Sequence, residues 1–449
     1  MTVAKGHEVI PSARRLIMSL RDMGYDFAQA IADIVDNSIE ASASLVTIDI
    51  EFDGDNSWVR IADNGKGMSP KQLREAMRYG SEREYENDDL GKFGLGLKTA
   101  SMSQCQSLSV ASRCNTDRAN IAAYTWDLDH IKKTNRWEIL PIEDRDLGPA
   151  IRQPLKDTTG TVVLWQKLDR ILGYKHPYGE MARKQLSQMC REIEQHLSIV
   201  FHLFLSDQVP RKRLRILVNG NEIKPWDAFC QTELKTKKLQ PIKFQVEHEG
   251  VHGEVLLQPF VLPHQDDFSS PEAFRLASGP NNWNQQQGFY IYRANRMIQS
   301  GGWSNLRAPD EHTKLARVVV SFSPLLDEAF KINVAKMRVQ LPAKIREEVK
   351  DAIIPVTRLA REVYDRKTKH IERTIPVSTQ TPRKETTDYE LSPQDKSDSK
   401  HKLQEKSVAF IENNIELLSE NQWTERTLAL ATKLERPVVK AVLARLSKK

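Results

Sequence analysis

Apolar residues return with a helical period through residues 28–44, AQAIADIVDNSIEASAS. At about 100° per residue, Ile31, Ile34, Val35, Ser38 and Ile39 share one side, while Asp33, Asp36, Asn37 and Glu40 gather on the other. The pattern predicts an amphipathic helix with one side in a core. Its acidic side admits two readings, a solvated face or a place for chemistry. Ahead of it, residues 12–21 have helical spacing through Leu16, Ile17 and Leu20, broken at Met23-Gly24. Behind it, LVTIDIEF and SWVRIAD alternate as two strands joined at Asp53-Gly54-Asp55-Asn56, the second ending at Asp63. KQLREAMRYG is helical and stops at Gly80, and SEREYENDDLG has no period and reads as a mobile loop leading to a glycine cluster. A helix is expected from Lys98, then strands near 107–112, 119–128 and 161–166.

Residues 181–205 carry Met189, Ile193, Leu197, Val200, Phe201 and Phe204 at helical spacing, predicting a long helix that closes the first domain. Strand-like runs follow: RLRILVNG, IKFQVEHEG, GEVLLQPFVL, GFYIYRANRMI and ARVVVSFSP, then a helix over 343–373. From residue 374 to about 400 large apolar residues nearly vanish, which marks a disordered linker. The tail regains helical periodicity, as two short helices broken near Glu435-Arg436-Pro437. The expected class is α+β, divided as a first domain 1–170, a connecting helix 171–205, a mixed domain 206–373, a linker 374–401 and a small helical module 402–449.

A chain of 449 residues needs two or three cores. Its net charge of +6 allows a nucleic-acid partner without arguing for one. Cys105, Cys114, Cys190 and Cys230 are far apart, with no CxxC pair and no signal peptide, and read as reduced thiols of a cytoplasmic protein. No apolar run approaches the roughly 20 residues that span a bilayer, so no membrane role is expected.

Three further blocks narrow the chemistry. IADNGKGMS at 61–69 places Asp63 at a strand end, where a buried carboxylate can accept from an exocyclic amine, as on adenine, while Gly65 and Gly67 let the backbone turn. Alone, DNGKG is equally an ordinary turn. GKFGLGLKT at 91–99 brings Gly91, Gly94 and Gly96 ahead of Lys98, a way to meet phosphates with backbone N–H groups and a counter-charge. It lacks the Walker A spacing, and a lone GxxGxG is weak evidence. TTGTVVLW at 158–165 completes the set.

Together the four blocks resemble the GHKL ATPases, the group of DNA gyrase B, the heat-shock chaperones, histidine kinases and MutL. GSERE…GKFGLGLKTASMS and GFYIYRANRMI are most similar to the microrchidia (MORC) branch and its bacterial relatives. The resemblance covers about residues 12–342. It implies a Bergerat-type α/β sandwich that binds ATP, followed by a transducer-like domain. It further implies Asn37 as the magnesium ligand and Asp63 as the adenine partner, helped through water by Thr161. Gly65, Gly67 and Met68 would border the nucleotide, as would Gly91, Lys92, Phe93, Gly94, Leu95, Gly96, Leu97 and Lys98, under a lid over 78–89. Lys336 in INVAKMRVQLP would reach the γ-phosphate from the second domain, so that hydrolysis releases the two domains.

The family's general base is usually glutamate, and this chain has Asp33. The shorter side chain retracts the carboxylate by roughly 1.5 Å, and ~1 Å of misplacement can cost about a hundredfold in rate. Asp33 as base, help from Glu40 or Asp36, and no hydrolysis all stay open at this point. The expectation is a slow ATPase acting as a dimerising switch, with DNA and an effector protein as partners in a DNA-related or phage-defence process. The other reading is a nucleotide-sensing scaffold that barely hydrolyses. The tail is either a helix-turn-helix unit or a docking module.

Overall fold

The computed structural model describes residues 9–22, 25–80, 96–115, 121–171, 178–210, 213–332 and 339–372, the side chains of 366–372 excepted. All lie within the unit Met1–Thr374. The expected linker and C-terminal module fall outside the described residues.

Local signals start and stop the first helices. Ser12 caps α1 (Ala13–Arg21) by accepting from Arg15 N, and Asp26 caps α2 (Phe27–Glu40) by accepting from Gln29 N at 2.8 Å. α2 ends at Glu40 with Ala41 as its C-cap, and Ser42 then turns to positive φ. Ser69 and Gln72 form a reciprocal capping box on α3 (Pro70–Met77), with proline in its first turn. Next come α4 (Gly96–Met102), α5 (Leu128–Thr134) and the single turn α6 (Pro149–Arg152).

The strands of this part are β1 (Leu45–Glu51), β2 (Trp58–Asp63), β3 (Ser107–Arg113), β4 (Ala122–Asp127), β5 (Leu140–Pro141) and β6 (Gly160–Gln166). They lie in the order β5-β4-β3-β6-β2-β1, each pair antiparallel. The two-residue period sorts their side chains onto two cores. Val59, Ile61, Leu108, Val110, Val163 and Trp165 join the layer of α1, α2 and α4, whereas Ala62, Ala111, Val162 and Leu164 meet Leu147, Ile151 and Leu155 on the opposite face. The sheet is therefore covered on both sides, and β2 delivers Asp63 at its end.

The long helix expected over 181–205 is α7 (Glu180–Val200), interrupted at Phe201 and followed by α8 (His202–Leu205). The run RLRILVNG corrects the expected division. Its strand β7 (Arg215–Val218) pairs parallel with β1, and β8 (Asn221–Glu222) pairs with β7, so residues 215–222 extend the first sheet rather than opening the second domain. The physical reason is the exposed edge of β1, whose polar backbone needs a partner.

A second sheet follows in the order β10-β11-β14-β12-β13, from β10 (Ile242–His248), β11 (Val251–Val261), β12 (Gly288–Arg293), β13 (Arg296–Ser300) and β14 (Ala316–Phe322), with β9 (Lys237–Lys238) on β11. α9 (Pro271–Ala277) and α10 (Asn282–Gln286) lie in the connection before β12. GFYIYRANRMI, a single run by its apolar pattern, is a hairpin. Ala294 and Asn295, both at positive φ, turn the chain between Arg293 and Arg296. Val349, Ile353, Val356 and Ala360 of α11 (Arg346–Glu372) recur at helical spacing and join Val255, Leu257, Val318 and Val320 in one core. α7 touches both α2 and β13, which brings the hairpin of the second sheet to the first.

Candidate functional site

Asp63 is held at the end of β2 by three neutral donors. Its Oδ1 accepts from Gly65 N at 2.9 Å and Thr161 N at 3.3 Å, and its Oδ2 accepts from Ser38 Oγ at 3.1 Å. Burial raises its proton affinity above the ordinary carboxylate range, and the three donors oppose that rise. A carboxylate offers about four acceptor sites, so these bonds leave it capacity for one more donor.

The surrounding loop is tied by Ser112. Its Oγ accepts from Met68 N at 2.8 Å, donates to Gly160 O at 2.9 Å and lies 2.9 Å from Thr161 Oγ1. Gly67, at φ +64°, would bring a Cβ to 2.1 Å from Arg113 O, and a Cβ on Gly160 would sit 1.9 Å from Asp63 O. These glycines are required by protein backbone packed on protein backbone.

The other end of the site departs from a solvated face. Asp33 and Asp36 are 3% and 1% exposed, and between them stands Arg296, itself 1% exposed. Arg296 Nε donates to Asp36 Oδ1 at 2.9 Å, and Nη2 donates to Asp33 Oδ1 at 3.3 Å. Tyr25 Oη donates to Asp33 Oδ2 at 3.0 Å. Burial first, then the Asp33 charge, pushes the Tyr25 phenol well above its usual range, so it remains a donor. A side chain on Gly96, the first residue of α4, would meet Asp33 Oδ2 at 3.9 Å. Asn37 is exposed one turn along, its Nδ2 donating to Asp33 O at 3.0 Å. That bond commits the amide nitrogen and leaves the side-chain oxygen suited to a hard cation.

His196 of α7 completes this end. Its Nε2 is buried without a hydrogen-bond partner among the described residues. Burial and the nearby Arg296 charge lower its pKa to about 4, so the ring is neutral. Lys98 is 2% exposed and donates to Ala76 O at 2.9 Å. Burial lowers its pKa to about 8 against the pull of Glu75, which leaves it mostly charged at neutral pH.

The structure brings Asp33, Asn37 and Gly96 to one end and Asp63, Gly65 and Thr161 to the other, with Gly67 and Met68 in the loop that Ser112 ties to Thr161. Leu97 and Lys98 follow Gly96 on α4, where the Lys98 amine meets Ala76 O and the Tyr79 ring. Gly91, Lys92, Phe93, Gly94, Leu95 and Lys336 lie outside the described residues, as does most of the expected lid. Sequence reasoning missed Tyr25, Ser38, Ser112 and Arg296 as site residues. Ser38 had a signal, a polar residue on an apolar helix side. GFYIYRANRMI was a recognisable block, but its pattern gave Arg296 no role, and Ser112 had none either.

Residues 25–161 match the family described as Histidine kinase-, DNA gyrase B-, and HSP90-like ATPase. Those residues form a GHKL ATPase domain, a class that binds ATP with Mg2+, built here as an α+β sandwich. Within that class the chain is homologous to the MORC proteins and MutL. It is 29% identical over 192 residues to Protein MICRORCHIDIA 1 of Arabidopsis thaliana, a match covering 40% of this chain and 29% of that protein. It is 31% identical over 159 residues to Protein MICRORCHIDIA 4 of the same plant, covering 30% and 19%. DNA mismatch repair protein MutL of Haemophilus influenzae (strain PittEE) is 29% identical over 141 residues, again covering 30% and 19%. The chain thus spans less than a third of the length of these curated relatives. Among the described residues no helix is long and apolar enough to cross a membrane.

Proposed function

We propose that this chain binds Mg-ATP and hydrolyses it slowly, as an ATP-gated dimerisation switch or clamp. The observation that carries the reading is the pairing of Asp33 and Asn37 one turn apart on α2 with Asp63 and Thr161 on adjoining strands, within a GHKL domain. Asp63 has the acceptor capacity for the adenine amine, and Thr161 and Ser112 order the polar groups beside it. Gly65, Gly67 and Met68 border the base. Gly91, Lys92, Phe93, Gly94, Leu95, Gly96, Leu97 and Lys98 would meet the phosphates, and Lys336 the γ-phosphate. Asn37 would hold Mg2+, which supplies positive charge to the triphosphate. Asp33 accepts a proton from the attacking water.

The setting we infer is cytoplasmic, in a DNA-related or phage-defence process, with a homodimer, DNA and an effector protein as partners. The similarity to MutL, a DNA mismatch repair protein, and the MORC likeness support a DNA partner. The test is phosphate release with and without duplex DNA, together with a mass measurement in a non-hydrolysable ATP analogue. Nucleotide-dependent doubling of mass with measurable turnover is expected, and neither one appearing refutes the switch. DNA titration of the full chain and of a version ending at Thr374, at two salt concentrations, assigns or removes a DNA role for the tail.

One observation favours a second reading, a non-hydrolysing ATP-sensing scaffold that recruits an effector: both carboxylate oxygens of Asp33 already accept hydrogen bonds. Nucleotide binding with phosphate release indistinguishable from buffer would select it.

A further inference from the structure

We propose that Arg296 and Tyr25 are positioning residues for the Asp33 carboxylate, so that the base is aligned only when the β12–β13 hairpin of the second sheet is docked on α2. This rests on the reading of Asp33 as the base. Arg296 bridges two carboxylates on one helix: Nε is 2.9 Å from Asp36 Oδ1 and Nη2 is 3.3 Å from Asp33 Oδ1. All three side chains are at most 2% exposed. The planar guanidinium fixes the angle between its two partners, which a lysine ammonium cannot reproduce. Tyr25 holds the second oxygen of Asp33 at 3.0 Å, and its phenol stays protonated. Together they restrict both oxygens of a carboxylate that is one methylene shorter than glutamate.

The same two bonds do not in themselves disable a base. A carboxylate has about four acceptor sites, so accepting from a phenol and a guanidinium is compatible with accepting from a water as well. Asp33 Oδ2 also faces the start of α4, the last part of the glycine block. What the bonds do is make the alignment of Asp33 conditional on a residue 263 positions away. Nearby His196, neutral through burial, adds no competing positive charge. Arg293, directly across the hairpin from Arg296, is taken up by Asp327 at 2.7 and 2.8 Å, so the two arginines have separate carboxylate partners. The hairpin's other arginine therefore anchors it within its own region, while Arg296 reaches out of it.

The experiment measures phosphate release and the Kd of a fluorescent ATP analogue on the full chain, for the unaltered protein, Arg296→Lys and Tyr25→Phe, with a thermal melt of each. Arg296→Lys is expected to lower kcat about tenfold to a hundredfold, the scale of ~1 Å of misplacement, with Kd within about threefold. Tyr25→Phe, which removes one oxygen and keeps the ring, is expected to lower kcat by a smaller factor, again without moving Kd. If Arg296→Lys fails to fold, Tyr25→Phe decides. A purely structural pairing would shift the melt with kcat unchanged, or move Kd and kcat together, and either result overturns the proposal. So does unchanged or faster turnover in a folded variant, the faster case meaning that Arg296 restrains the base. Turnover at the level of buffer in the unaltered chain overturns the hydrolysis reading itself, and the positioning role with it.

Discussion

At Asp63 every donor the structure describes is neutral and comes from residues 38–161, so this end of the site is complete within one sheet and the helix laid on it. At Asp33 the described donors are a phenol just ahead of α2 and a guanidinium 263 positions along the chain. Neutral donors cost little to bury and preform an acceptor for an uncharged base. Buried charges need paired partners, and here one partner is supplied by the second sheet. Under the proposed function, the contrast separates recognition, which is local, from chemistry, which depends on how the two sheets dock.

The largest effect expected is at the base. Asp33→Ala should cut turnover by about a thousandfold, the middle of the range for a general base, while sparing nucleotide binding. Single-turnover phosphate release beside an equilibrium titration checks this, and unchanged turnover would remove Asp33 from the mechanism. Asn37→Ala should impair binding and turnover alike. At the other end the effect inverts. Asp63→Asn should weaken ATP by roughly tenfold to a hundredfold, the worth of a charged hydrogen bond, and flatten discrimination against GTP. Retained selectivity would place the base elsewhere.

Arg293 and Arg296 sharpen the comparison between regions. Arg293→Met strands Asp327 in a buried pair and should cost about 3–5 kcal/mol in denaturant unfolding. Because that pair is internal to the second region, nucleotide Kd should hold wherever the variant stays folded. A changed Kd would mean that the region is tied to the site through more than Arg296.

Protonation probes the junction more gently. His202 Nε2 is 2.6 Å from Tyr292 Oη, and burial lowers its pKa to about 4, with Asp227 opposing. A depressed folded-state value means that the unfolded chain takes up the proton first. The contribution is therefore full above about pH 6.5 and is lost as pH falls through about 4. At pH 5 the loss should be roughly 2 kcal/mol relative to pH 7, measured by chemical denaturation. His202→Leu should flatten that slope, and an unaltered slope would assign the acid sensitivity to other groups. The smallest effect is Ser38→Ala, which removes one donor from Asp63 and should weaken nucleotide by a few-fold.

Much of the first region was legible along the chain. The helix period over 28–44 and the strand pair before Asp63 each rest on contacts close along the chain, whereas the caps at Ser12, Asp26 and Ser69 were not read from the sequence. The Asp63 end shares that locality, since Asp63 and Gly65 are neighbours. The second region was less legible. Its hairpin hid in one apolar run because Ala294 is not a usual residue for positive φ. RLRILVNG carried the pattern of a strand without saying which sheet would accept it, and an open edge beside β1 decided that.

What the sequence by itself determined is the set of short-range facts: a helix with Asp33 and Asn37 one turn apart, an aspartate closing a strand, and glycines where the backbone must bend. Periodicity and capping act over a turn or two, so they are written locally. Only the tertiary structure decided that the acidic side of that helix is buried, that Arg296 bridges Asp33 and Asp36, and that Tyr25 takes the remaining oxygen of Asp33. Two carboxylates buried side by side are stabilised when an opposite charge arrives between them. The residue that brings it belongs to another sheet, beyond the reach of any local pattern.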